Sequence, residues 1–326
     1  MFEALDPTDL RLLDEFQRAL PLVPRPFAAI GAALGLEEGQ VIARLAAMQA
    51  AGRVARVGAT VRPNTAGAST LAALAVPDGR MDRVAAIVGA EPGVNHSYER
   101  EGDHNLWFVA TAPDGAGLDA LLARIGARSG LPVLDLRLVR AFNIDLGFRL
   151  SDAPSAMAPD RPADTGILRA GDRILLQALS EGLPLVPEPY GALADRLGCP
   201  EPALRERIGA LLAAGIITRL GVIVRHRALG WTSNAMVVWD VPAARVAATG
   251  RALAQVPGVT LCYERRPVPG VWPYRLFCMI HARSRDGALA VLDRAAALPD
   301  LVGVAHRVLF STRCFKQSGA RIAEVA

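Results

Sequence analysis

EPGVNHSYERE (Glu91 to Glu101) is written a second time, altered but legible, as VPGVTLCYERR (Val256 to Arg266). Upstream, LPLVPRPF (Leu20 to Phe27) returns as LPLVPEPY (Leu183 to Tyr190), and AGRVARVG (Ala51 to Gly58) as AGIITRLG (Ala214 to Gly221), both at an offset of 163. Downstream, HNLWF (His104 to Phe108) is answered by YRLFC (Tyr274 to Cys278). A period of about 165 residues is a domain-scale duplication and not a solenoid repeat.

Within the first copy, Leu10, Leu12, Leu13, Phe16 and Leu20 share a helical face that Pro21 ends. A second helix starts near Pro26 and stops at Gly35, and a third spans Glu37 to Ala50 with Gly52 as C-cap. These predict a helix-turn-helix, and RVARVGATVRP alternates as a strand pair forming a small wing. The period then changes. Strands at Ser69 to Val76, Val94 to Glu101, His104 to Ala112 and Val133 to Phe142 are interleaved with helices at Met81 to Gly89 and Gly115 to Arg128. That order, βαββαβ, is ferredoxin-like. The second copy repeats it with strands at Ala235 to Val241, Val259 to Arg265, Tyr274 to Ala282 and Val302 to Phe310. The expected class is α+β, a tandem duplication of winged helix-turn-helix plus ferredoxin-like domain. The expected boundaries are 1–63, 64–150, a Pro/Asp/Ala/Ser-rich linker at 151–166, then 167–226 and 227–326.

A chain of 326 residues that is 52% hydrophobic can bury more than one core. Lys316 is the only lysine, so arginine carries the positive charge and suits planar, bidentate binding of carboxylate or phosphate. Acidic residues are interspersed, which weakens a nucleic-acid reading of the net charge of +4. Four scattered cysteines (Cys199, Cys262, Cys278, Cys314) have neither zinc-site spacing nor secreted density. With an acidic amphipathic start and no membrane-length apolar run, a cytoplasmic protein is expected.

Winged helix-turn-helix followed by βαββαβ resembles the Lrp/AsnC family, whose first part binds DNA and whose second dimerises and senses small molecules. More specifically, VNHSYEREGDHNLWF (Val94 to Phe108), VIVRHRALGWTSNAMVVWDVP (Val222 to Pro242), CYERRPVPGVWPYRLFCMIH (Cys262 to His281) and RCFKQSG (Arg313 to Gly319) resemble the siroheme decarboxylases of the haem d1 and alternative haem pathways. The resemblance implies two related halves pairing as a pseudo-heterodimer around a porphyrinoid. It also implies loss of two acetate carboxylates of siroheme as carbon dioxide, giving 12,18-didecarboxysiroheme. No cofactor is implied beyond the iron of the substrate.

The residues fit that chemistry. Siroheme is a flat apolar macrocycle ringed by carboxylates, so its pocket needs apolar walls and fixed cations. Strand alternation puts His96, Tyr98 and Arg100 on one face of the first hairpin, with His104 and Leu106 coming close across the turn, and Asn105 and Trp107 are further candidates for binding substrate. The second hairpin offers Tyr263, Arg265, Arg266, Trp272, Tyr274 and Arg275. Decarboxylation leaves an electron pair on a methylene carbon that must be protonated, so His96 or His104 is the expected general acid, with Tyr98 beside them. His104 is also a possible iron ligand. Arg100, Arg265 and Arg275 would hold carboxylates without gripping the reacting acetate, whose ionised ground state a bidentate arginine would stabilise. Trp107, Trp272 and Leu106 offer it a less polar wall.

Plainer roles stand beside these. A strand tryptophan is often core, and the wing arginines Arg53, Arg56, Arg62, Arg219 and Arg225 can be solvated charges. His226, a further candidate for binding substrate, and His281 answer to Pro63 and Thr111 in copy one, and Leu261 answers to His96, so the halves differ in equipment. Two other functions compete: a DNA-binding regulator sensing a small molecule, and a haem-binding sensor without chemistry. The third helices argue against DNA, since Glu37 to Ala50 offers only Arg44, and Pro200 onward only Arg205 and Arg207. Further homodimerisation stays open.

Overall fold

The structure, a computed structural model, describes residues 5–143, 147, 150 and 162–323. Contacts divide the chain into two units by domain type and not by copy: residues 5–66 with 162–230, and 67–143 with 231–323.

In the helical unit, copy one supplies α1 (Pro7–Glu15), α2 (Pro26–Leu34), α3 (Glu38–Ala50) and β1 (Val54–Val61). Asp6 caps α1 by accepting from Thr8 and Asp9 amides, Gly35 ends α2 in the left-handed conformation (φ 72°), and Glu37 and Gln40 form a capping box on α3. The first helix is shorter than the apolar spacing predicts. Phe16 and Leu20 are still buried, but beyond the helix.

The wing is different from the expected hairpin. Each copy supplies one strand, and β1 pairs antiparallel with β6 (Ile217–Val224) of the other copy, Gly58 opposite Gly221. Alternation identifies a strand without naming its partner, and here the partner is 163 residues away. A Cβ on Gly58 would lie 2.4 Å from the Leu179 carbonyl oxygen, and one on Gly221 2.2 Å from that of Gln17, so both positions need the bare backbone.

The other unit is a closed eight-stranded barrel. Copy one gives β2 (Ala68–Leu74), α4 (Met81–Ala90), β3 (Val94–Arg100), β4 (Leu106–Ala112), α5 (Gly115–Ser129) and β5 (Leu134–Asn143). After α6 (Asp172–Glu181), α7 (Pro189–Leu197), α8 (Glu201–Ala213) and β6 in the helical unit, copy two gives β7 (Ser233–Trp239), α9 (Ala243–Leu253), β8 (Val259–Arg265), β9 (Leu276–Ala282), α10 (Arg285–Ala296) and β10 (His306–Gln317). Strands run around the barrel in the order β10-β3-β4-β2-β5-β8-β9-β7, each half keeping the ferredoxin-like order of its four strands.

Closure comes from a reciprocal strand exchange. β5 lies on β2 from Leu134 to Arg137 and then on β8 from Leu138 to Asn143. β10 lies on β7 from His306 to Phe310 and then on β3 from Ser311 to Gln317. This second leg carries β10 seven residues past the predicted end at Phe310. Phe142 at the tip of β5 joins the core of copy two, and Phe315 on β10 packs against the core of copy one. A Cβ on Gly250 would lie 2.2 Å from the Phe142 ring, so α9 keeps a glycine where the exchanged ring lies.

Period-two alternation sorts the side chains. One face of each half packs against its own helices, as Phe108 and Ala110 do against α4 and α5. The opposite faces share a third cluster inside the barrel, with Leu71, Ala73 and Trp107 from copy one and Met236, Phe277 and Met279 from copy two.

Candidate active site

The barrel interior gathers most of the predicted site residues. Tyr98 lies opposite Trp107 and His96 opposite Val109, both inner-face positions. A bulge between Val94 and His96 sets that phase, and an equivalent bulge between Val259 and Leu261 turns Leu261, Tyr263 and Arg265 inward on β8. His96, Tyr98, Val109, Leu261, Tyr263 and Arg265 are all only half-buried, so part of each stays accessible. An eight-stranded barrel has room for a small ligand when side chains do not fill it.

The two Tyr-x-Arg units mirror each other. The Arg265 guanidinium is 4.7 Å from the Tyr263 ring centroid and its Nη1 donates to the Leu136 carbonyl at 2.8 Å. The Arg100 guanidinium is 5.6 Å from the Tyr98 centroid and its Nη1 donates to the Leu309 carbonyl at 3.0 Å. Each arginine thus reaches the other copy's last strand, where that strand changes partners. Burial pushes the Arg265 pKa down, against the pull of Tyr263. Its ring lies 6.4 Å from Phe277, so an apolar wall adjoins the cations.

His104 stands apart from His96. It sits past the end of β3, four residues beyond Arg100, whereas His96 is four residues before it, about 13 Å up the strand. Its ring meets Trp272 edge-on at 5.5 Å, Trp272 meets Trp107 at 5.3 Å and Tyr274 at 5.0 Å, and the His104 carbonyl accepts from Trp107 Nε1 at 2.6 Å. Burial holds the His104 pKa below the usual imidazole value, with Asp103 opposing and Arg307 assisting. A neutral ring of this kind is a poor proton donor at neutral pH.

Other predicted residues lie outside this inward set: Leu106, expected beside His104, faces the helices of its own half in the core with Phe108, because alternation gives the inner face to Trp107 instead. The Asn105 amide is used at both ends by the Val76 backbone (2.8 and 2.9 Å), which fastens the end of β2. Arg266 is exposed, Arg275 is half-buried, and their backbone amides donate to Arg137 and Trp239 carbonyls. His226 lies in a short 3-10 turn (His226–Leu229) of the helical unit. Sequence reasoning assigned no role to the pair His281 and Thr260, whose Nδ1 and Oγ1 are 2.6 Å apart on the inner side of β9 and β8. The only signal was that His281 replaces Thr111 of copy one.

The arginines a DNA-reading third helix would present are engaged within the helical unit. Arg44 pairs with Asp9 at 2.8 Å, Arg205 with Glu201 at 2.9 Å, and Arg207 with Asp172 at 2.8 Å through Nε. Among the described residues, no helix is long and apolar enough to cross a membrane, and no cluster of metal-ligating side chains occurs.

Comparison with known proteins places this architecture. Residues 66–143 and 228–316 match the AsnC-like ligand binding domain, and residues 9–54 and 172–217 match the siroheme decarboxylase NirDL-like HTH domain. The siroheme decarboxylase NirDL subunit of Paracoccus denitrificans (strain Pd 1222) is 65% identical over 322 residues, covering 99% of both chains. The siroheme decarboxylase NirD subunit of Stutzerimonas stutzeri is 49% identical over 148 residues, 45% of this chain and 97% of its own. A crystal structure of the siroheme decarboxylase NirDL in co-complex with an iron-uroporphyrin III analogue superposes with a TM-score of 0.68 at 26% identity, covering 96% of this chain and 93% of that one. With both domain types duplicated, the halves joined and the match running end to end, this chain belongs to the siroheme decarboxylase family in its fused, NirDL-like form.

Proposed function

We propose that this chain is a carboxy-lyase that removes two acetate carboxylates of siroheme as carbon dioxide, giving 12,18-didecarboxysiroheme. The observation that carries the reading is the shared inner face of the barrel. There an imidazole, two phenols and two guanidinium groups, drawn from both copies, stand beside the apolar side chains of the shared cluster. The iron belongs to the substrate, and the chain needs no cofactor of its own.

The residues divide the work as follows. Arg100 and Arg265, desolvated and already fixed by one backbone carbonyl each, attract carboxylates of the macrocycle. Inward apolar side chains such as Phe277 and Leu261 lie against the reacting acetate, where a weakly solvated carboxylate loses carbon dioxide more readily. Cleavage leaves its electron pair on the methylene carbon, and His96 delivers the proton that makes it a methyl. His104 stands past the end of β3 with its ring against Trp272, where burial lowers its pKa.

Anaerobic incubation of the purified chain with siroheme, followed by mass analysis of the tetrapyrrole, tests this. Loss of one and then two carbon dioxide units is expected. Unchanged mass with a shifted Soret band would leave a binding protein, and no interaction would return the chain to the regulators it resembles in topology. The ion pairs of Arg44, Arg205 and Arg207 weigh against that last outcome.

A further inference from the structure

The duplication leaves the halves unequal in proton donors. Where β3 carries His96 on the inner face, β8 carries Leu261, each directly after the same bulge. An acetate reacting against the copy-two wall would therefore form its carbanion beside a strand with no imidazole.

The next inward side chain on β8 is Tyr263. Phe277 on β9 and Ala141 on β5 lie opposite it in register, and neither can titrate. The charged groups acting on its phenol are Arg265, two residues along, and Arg100 from copy one. Of the other acids on this side, Tyr274 stands before β9 with its ring 5.0 Å from Trp272, and His281 is only 8% exposed with its Nδ1 engaged by Thr260. Thr260 Oγ1 in turn donates to the Met279 carbonyl at 3.1 Å. Tyr263, by contrast, is only half-buried.

Building on the decarboxylase reading, we infer that Tyr263 is the proton donor for one of the two decarboxylations, His96 serving the other. The C–C bond to the carboxylate breaks, carbon dioxide leaves, and the electron pair remains on the methylene carbon. That carbon takes the proton from Tyr263 Oη, giving a methyl group and a phenolate. Water-borne protons then restore the phenol, so no oxidant or reductant is needed. Burial raises the phenol pKa and keeps it protonated at neutral pH, while the two guanidinium charges stabilise the transient phenolate.

The test is single turnover of the full-length chain with siroheme under anaerobic conditions, with product masses and a Soret titration, for wild type, Tyr263→Phe and His281→Gln. Tyr263→Phe should bind siroheme within about twofold of wild type, accumulate the monodecarboxylated species, and release the second carbon dioxide at least about 100-fold more slowly. His281→Gln should still lose both. Full didecarboxylation by Tyr263→Phe at the wild-type rate would overturn the assignment, as would a His281→Gln enzyme that stalls after one loss. A wild-type chain that binds siroheme without any mass loss would instead refute the functional reading beneath it.

Discussion

Arg265 of copy two donates from Nη1 to the carbonyl of Leu136 in copy one at 2.8 Å, at the place where β5 leaves β2 and joins β8. Leu136 stands in register with Leu71, one residue before the last pair on β2, so the bond ties a copy-two side chain to the seam. Arg265→Met keeps most of the volume and removes this bond across the seam. We expect a loss of about 1–3 kcal/mol in urea denaturation. An unchanged midpoint would mean that the bond contributes nothing to the seam.

His96→Ala should separate binding from chemistry. Arg100 and Arg265 are fixed by the Leu309 and Leu136 carbonyls, so siroheme should still shift its Soret band on titration. Turnover should fall by about 10²- to 10⁴-fold, the usual range for a lost general acid. Retained activity would remove His96 from the acid role.

His104 carries a pH signature. Its folded pKa lies below the unfolded value, so the unfolded chain binds the proton more readily. Stability should therefore fall as pH drops from 7 through the unfolded imidazole value near 6.5 and on through the lower folded value. His104→Gln should flatten that part of a melting-temperature profile between pH 7 and 5. A profile identical to wild type would show that His104 is not the group responsible.

The strand exchange predicts how the chain can be cut and how it can be broken. Severing it within residues 151–161 leaves each copy with its own helical and strand segments, and the two pieces should copurify one to one on coexpression. Half-length relatives such as the NirD subunit match 45% of the chain, which accords with such a cut. Gly250→Val, which forces a side chain into the Phe142 ring, should destabilise the barrel by about 1–3 kcal/mol. Pieces that fold and purify separately would count against the interlock.

Period and punctuation made the elements of both copies legible: the apolar face of α3, Gly35 and Gly52 at helix ends, and strands alternating around the Gly102–Asp103 turn. Pairing between copies was not legible. Alternation along β1 looks the same whether the partner is the next residues or β6, and SerThrArgCysPheLysGln after Phe310 becomes strand only because β3 offers an edge. The inward set His96, Tyr98, Arg100 and its counterpart Tyr263, Arg265 followed from spacing. The use of Asn105 on Val76 did not, because it depends on where β2 ends in space. Nor did the seating of His104 against Trp272, which comes from a hairpin loop in the other half.

Closing a barrel from two halves is a second-order event when they are separate chains and a first-order one when a linker joins them. In the fused form each last strand meets its acceptor at an effective concentration set by the tether and not by expression level. Dilution that would dissociate a two-chain assembly should leave this one closed.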